Sequence, residues 1–107
     1  MVTLSSSGTQ TAVIGTEHTL FSTATSKYFT GYIDLTNVVA GDTVEIRVSV
    51  IAKTAGSYIL YFLATYSGAQ SNPLVYLPPL PSDIGYKVTL KQTVGTARTY
   101  DWRVYEI

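Results

Sequence analysis

The sequence predicts an all-β domain: an antiparallel β-sandwich of seven or eight strands, jelly-roll-like in preference to immunoglobulin-like. Three observations lead there. Apolar and polar residues alternate with period two in several windows, the pattern of a strand buried on one face and wet on the other. No window sets apolar residues at the three- and four-residue spacing of an amphipathic helix, so helix content should be near zero. Strand-like runs recur at intervals of roughly ten residues with Gly, Asn or Asp between them, as in a sandwich or small barrel. The immunoglobulin alternative lacks its Cys…Trp…Cys signature, because the chain has no cysteine.

The elements follow in chain order. Residues 1–9, Ser-rich and without core periodicity, read as a candidate N-terminal arm whose β-prone Val2, Thr3 and Leu4 suit strand addition to a neighbouring subunit. Thr11 to Ile14 and Glu17 to Thr23 are short β-prone runs around Gly15. From Tyr28 to Leu35, Phe29, Ile33 and Leu35 share one face, with Gly31 among them as a bulge or close backbone approach. The clearest strand is Thr43 to Lys53, where Val44, Ile46, Val48, Val50 and Ala52 alternate with polar residues and only Ile51 breaks the pattern. Gly41-Asp42 is the turn before it, which predicts an antiparallel pair of these two strands.

Tyr58 to Ala64 is an unbroken apolar run, expected as a strand covered on both faces, either central in its sheet or under an interface. Asn72 to Asp83 holds all four prolines; since proline cannot donate to a ladder, this stretch reads as an extended crossover or an edge. Tyr86, Val88 and Leu90 alternate with Lys87, Thr89 and Lys91, and Tyr100, Trp102 and Val104 alternate with Asp101 and Arg103. With Gly95 between them free to take positive φ, these last two runs predict a C-terminal β-hairpin, and the phase of Trp102 predicts a core position.

At 107 residues and 11.6 kDa the chain is sized for one domain, residues 1–107. Seven basic and seven acidic residues cancel, which argues against a phosphate-dominated nucleic-acid surface and against a polybasic membrane anchor. Only 13% of residues are charged, while Ser and Thr make up about a quarter. The N-terminus lacks the basic and apolar regions of a secretory signal, and no window reaches a membrane span, so the chain reads as soluble and unprocessed.

Catalytic and cofactor signals are weak throughout. His18 follows Glu17 on a predicted strand, so the two side chains point to opposite faces, and His18 reads as a surface or rim residue and not as a metal ligand. The ten serines include no G-x-S-x-G elbow, and the eight glycines form no phosphate-binding spacing. The seven acids, Glu17, Asp34, Asp42, Glu45, Asp83, Asp101 and Glu106, are scattered, and cross-strand pairing with Arg47, Arg103 or Lys91 is their ordinary use. The expectation is a non-enzymatic protein with no catalytic residue, no metal and no cofactor. Nine tyrosines suggest packing or a stacking platform; Tyr58, Tyr61, Tyr66 and Tyr76 are candidates to present rings to a glycan. The run Tyr76, Leu77, Pro78, Pro79, Leu80, Pro81 is the candidate partner or oligomer interface, a stiff edge expected to expose Leu77 and Leu80 to a neighbouring subunit.

Three phrases carry a resemblance: Asp34 to Glu45 (DLTNVVAGDTVE), Tyr66 to Gln70 (YSGAQ) and Lys87 to Trp102 (KVTLKQTVGTARTYDW). They resemble a pattern in small proteins of tailed-phage virion gene clusters, most usefully capsid decoration or cement proteins, and cover about the last two-thirds of the chain. The resemblance implies a virion structural protein, assembled in the host cytoplasm as a homo-oligomer, with a trimer favoured. Its partner would be the major capsid protein or another virion protein, with no nucleic acid or membrane involved. It transfers no functional residue. A glycan-binding tail or fibre module is the alternative.

Overall fold

The computed structural model describes residues 2–107. Eight strands account for almost all of it: β1 (Thr3–Thr11), β2 (Glu17–Thr23), β3 (Lys27–Asp34), β4 (Thr43–Ile51), β5 (Ile59–Ser67), β6 (Leu74–Ser82), β7 (Gly85–Val94) and β8 (Thr99–Glu106). They form two four-stranded sheets in the orders β1-β8-β3-β6 and β2-β7-β4-β5, and every paired neighbour is antiparallel. That strand order, in which consecutive strands cross from sheet to sheet except for the β4–β5 hairpin, is the double Greek key of a jelly roll. Among the described residues there is no helix.

The alternation seen in the sequence becomes the inside and outside of the sandwich. Phe29, Ile33, Val75, Leu77, Tyr100, Trp102 and Val104 face inward from the first sheet, and Leu20, Val44, Ile46, Val48, Tyr86, Val88 and Leu90 face them from the second. Each such large side chain, removed from water, contributes roughly 1.5–3 kcal/mol before the entropy of ordering is subtracted. Phe29 and Tyr86 stack across the two layers with ring centroids 4.9 Å apart, and Phe21 closes the cluster from β2.

Two expected pairings are corrected. β7 and β8 do not form a hairpin, and β3 and β4 do not pair: in each case one strand lies in one sheet and the next in the other. The short link between β7 and β8 is an arch over the core, with Gly95 at φ +99°. Alternation identifies the buried face of a strand but not its hydrogen-bonded neighbour. Two strands whose buried faces meet across a core read the same as two strands side by side.

Buried polar groups fix the arches. Asp42, almost fully buried, accepts hydrogen bonds from Arg98 Nε at 2.8 Å and from the amides of Val39 and Thr96 at 3.1 Å each. It thereby joins the β3–β4 connection to the β7–β8 arch. The Arg98 contact first, and then the Val39 amide, hold its carboxyl below the usual carboxylate range. Beside it, buried Gln92 donates to the carbonyls of Val94 and Thr96 and accepts from the Arg98 amide and the Tyr100 hydroxyl. A neutral amide that uses all these bonds is a satisfied buried group rather than a destabilising one.

Two further readings resolve. Gly31 follows a register shift in the β3–β6 pairing and, on its other side, lies close against the β8 backbone, where a Cβ would collide with the carbonyl oxygen of Arg103. Residues 3–9, part of the candidate arm, instead lie in β1, which continues to Thr11 and pairs with β8 from Thr3↔Glu106 to Thr11↔Thr99. β1 is mostly exposed, so backbone pairing rather than a core stripe holds it, which is why periodicity did not reveal it. Met1, also in that stretch, lies outside the described residues.

Candidate functional site: an uncharged flank

Residues 54–82 contain no Asp, Glu, Lys, Arg or His; all fourteen charged side chains and His18 lie outside this stretch. The topology turns that sequence fact into a surface. β5 is the outer strand of one sheet and β6 the outer strand of the other, and both lie on the flank next to β4 and β3. The jelly-roll order places the two on the same side of the sandwich. The two strands of that flank therefore carry no charge of their own.

What it presents is apolar. On β5, Ile59 is 59% exposed, Leu60 49%, Tyr61 51% and Leu63 49%. Tyr58 leads into the strand and carries Lys87 Nζ 4.3 Å from its ring centroid. Phe62, Ala64 and Tyr66 alternate inward, and Phe62 and Tyr66 pack against the core. Of the two expected placements, the central one is corrected: β5 is an edge strand, and within the chain it is covered on its inward face alone. A run of mixed Tyr, Leu and Ile has no polar residue to mark its wet side, so the sequence could not distinguish a doubly covered strand from one with an apolar outer face. A clearer signal was present in the length of the charge-free interval.

The proline run does form an edge, as expected. β6 pairs with β3, from Lys27↔Ser82 to Asp34↔Leu74, and leaves its other side unpaired. Its side chains divide differently from the expectation. Tyr76, Pro79 and Pro81 point outward with Leu74, whereas Leu77 is fully buried and Leu80 packs against the core; Pro78 is half-buried. The correction follows from register: Leu77 stands opposite Gly31 and Leu80 opposite Phe29, both inward positions of β3. Of the four tyrosines singled out as ring donors, Tyr58, Tyr61 and Tyr76 are exposed and Tyr66 is turned in.

The remaining charged residues build ordinary surface networks. On the outward face of the second sheet Arg47 bridges Glu45 at 3.0 Å and Glu17 at 3.5 Å, all three partly exposed. Such pairs contribute little stability. His18 Nε2 accepts from the Val13 amide at 3.0 Å and holds the β1–β2 turn. On the outward face of the first sheet, Ser7, Thr9, Tyr32, Asp34, Asp101 and Arg103 line a shallow depression of about 390 Å³. There Thr9 donates to Asp101 and the backbone amide of Thr36 donates to Asp34. The hydroxyls of Tyr32 and Tyr105 bond at 2.9 Å, and that bond, with burial behind it, raises the Tyr32 pKa. Among the described residues no group of three or more His, Cys, Asp or Glu side chains is arranged to hold a metal ion.

No family model, curated protein or solved structure matches the chain.

Proposed function

We propose that this protein is a non-enzymatic structural component of a virion, an oligomeric decoration or cement protein that binds capsid subunits and stabilises their lattice. The observation that carries the reading is the uncharged flank of β5 and β6. Exposed large apolar residues grouped on one edge of a small domain are a surface for permanent contact, because leaving them in water is unfavourable and nothing else in the fold covers them. The phage-like phrases in the sequence supply the virion context, and jelly rolls are frequent in capsid and lectin domains, which is an analogy of fold alone. The partners would be copies of this chain together with the major capsid protein or another virion protein.

The test is co-sedimentation with purified capsids of the virus that encodes the chain, together with the heat stability of those capsids. Saturable binding and a raised capsid melting temperature are expected. Absence of binding to both mature and expanded shells would refute the role.

A second reading, glycan recognition, is favoured by the depression on the first sheet, where the Tyr32 ring, two carboxylates and Arg103 stand within one hollow together with Leu74 and Trp102. The flank tyrosines are worse candidates, since no acidic or amide side chain on that strand is placed to orient sugar hydroxyls. A glycan array with Arg103→Ala as the control separates the two readings.

A further inference from the structure

The outward face of the first sheet carries a constellation that neither the fold nor the uncharged flank uses. Residues paired across a sheet share a face, so the register lays out two neighbouring rows there. Tyr76 pairs with Tyr32, Tyr32 with Arg103 and Arg103 with Ser7, one row across β6, β3, β8 and β1. In the next row Leu74 pairs with Asp34 and Asp101 with Thr9, and Asp34 and Asp101 come one step past the Ile33↔Trp102 pair of β3 and β8. Tyr32, Arg103, Asp34 and Asp101 line the same hollow of about 390 Å³, within the size range of small-ligand sites, roughly 300–1,000 Å³.

The charges in that hollow are held apart. Of the three arginines, Arg47 is paired with Glu45 and Glu17 and Arg98 with Asp42, whereas Arg103, with two carboxylates in the next row, makes no ion pair among the described residues. Like charges in neighbouring positions of a sheet are unfavourable, and here no bridging guanidinium relieves them. Both carboxylates are fixed by hydroxyls instead. Thr9 donates to Asp101 Oδ1, and the Thr36 amide and hydroxyl donate to Asp34 Oδ1, which leaves Oδ2 of each without a donor among the described residues. Tyr32 is fixed as well, its hydroxyl bonded to that of Tyr105 and the two rings 5.8 Å apart. Hydrogen-bonding groups held this way on one sheet are already in place for a ligand.

We propose that the hollow binds a neutral sugar, a hexopyranose of a longer glycan, between Arg103 on one side and Asp34 and Asp101 on the other. This deepens the glycan reading above and rests on it. The pattern of charge selects the ligand. An anion drawn to Arg103 would stand against two carboxylates, and a cation drawn to the carboxylates would stand against the guanidinium. A hydroxyl meets both demands, because it accepts from the guanidinium while donating to a carboxylate. Adjacent hydroxyls around a pyranose ring repeat that pair of functions, so one sugar engages Arg103 and both Oδ2 atoms together. A sugar also has an apolar C–H face. Tyr76, 59% exposed and next to Tyr32 in its row, gives that face an aromatic surface, with Leu74 beside it.

The experiment is a glycan array probed with the full-length protein. It carries neutral oligosaccharides of glucose, galactose, mannose and their N-acetylated amino sugars beside sialylated, uronate-containing and sulfated counterparts. The strongest binder is then titrated by calorimetry against wild type, Arg103→Ala, Asp101→Asn and, as the control on the other sheet, Arg47→Ala, each shown to be folded by circular dichroism. Neutral sugars should bind, about 10-fold or more weakly in Arg103→Ala and Asp101→Asn, which each lose hydrogen bonds to a charged group, and unchanged in Arg47→Ala. Amide NMR shifts on addition of the sugar should move at residues 32–34 and 101–103. Selective binding of acidic sugars, lost in Arg103→Ala and strengthened in Asp101→Asn, overturns the neutral class and leaves the glycan reading standing. Neutral binding that neither hollow variant weakens overturns this site and places glycan recognition elsewhere on the molecule. An array on which nothing binds overturns both, and the capsid-binding result then decides the structural role independently.

Discussion

Tyr86→Phe should make this protein more stable. The Tyr86 side chain is fully buried, and its hydroxyl meets no hydrogen-bond partner. The ring cannot swing to find one: it is stacked on Phe29 at 4.9 Å and met by Phe21 at 6.2 Å in a close-packed interior. Burial alone accounts for the strong rise of its pKa, with no compensating donor or charge. An unsatisfied buried hydroxyl costs about 1–3 kcal/mol relative to its hydrated state, so deleting the oxygen and keeping the ring should return about 1 kcal/mol. Tyr100→Phe is the matched control. Its hydroxyl is equally buried but donates to Gln92 Oε1 at 2.8 Å. Its deletion should cost about 1 kcal/mol, limited because Gln92 Oε1 keeps its bond from the Arg98 amide. For a domain of this size each change should move the melting temperature by about 5 °C, upward for Tyr86→Phe and downward for Tyr100→Phe. Urea unfolding with an unchanged slope gives the same ordering through the midpoint. If both variants lose stability alike, the Tyr86 hydroxyl is bonded and the packing described here around it is wrong.

Other expectations follow from the same packing. Above pH 10 stability should fall, because unfolded tyrosines ionise near 10 while burial holds Tyr100 to about 12 and Tyr86 higher still. These groups contribute fully below their unfolded pKa, and that contribution is lost as pH rises through the folded value, so a pH series of urea midpoints should fall less steeply in Tyr86→Phe. At the acid end the sign reverses: the depressed Asp42 carboxyl contributes above its unfolded pKa and loses that contribution as pH falls through its folded one, so Asp42→Asn should lower stability at pH 7 and flatten the acid limb. Gly31→Ala should cost about 3 kcal/mol or more and leave little folded protein by circular dichroism, since its Cβ would meet the Arg103 carbonyl, a backbone atom with no room to move. Ala55→Gly should gain about 0.5–1 kcal/mol in the same urea assay, because Ala55 stands at φ +61° in the β4–β5 connection, where a Cβ is strained.

The core was legible in the sequence and the pairing was not, and the reason lies in what alternation encodes. Val44, Ile46 and Val48 declared their buried face at once, as did Tyr86, Val88 and Leu90 and the phase of Trp102. None of these says which strand lies alongside. Gly41-Asp42 and Gly95 were read as hairpin turns because glycine at positive φ is common to hairpins and arches, and φ is indeed positive at Gly41 and Gly95. What makes them arches is Asp42, whose carboxylate reaches the Thr96 amide and Arg98 across the end of the sandwich. A contact between residues so far apart in the chain has no local signature. Gly31 was read correctly as a close approach, because a glycine between large strand residues has few other uses.

The candidate surface was half legible for a related reason. The proline edge was visible because proline acts through its own backbone, and β6 is an edge. The apolar run before it reads as central in its sheet or under an interface, because in most strands polarity marks the wet face. Here the outward residues of β5 are themselves Tyr and Leu, so the mark is missing. The opposite flank is mostly polar: the outward positions of β1 and β2 are Ser, Thr and Glu beside one exposed Leu4. A chain able to cover one flank with hydroxyls, and carrying fourteen charges elsewhere, has the means to make both flanks wet. Aggregation through an open apolar edge is the usual penalty for failing to do so.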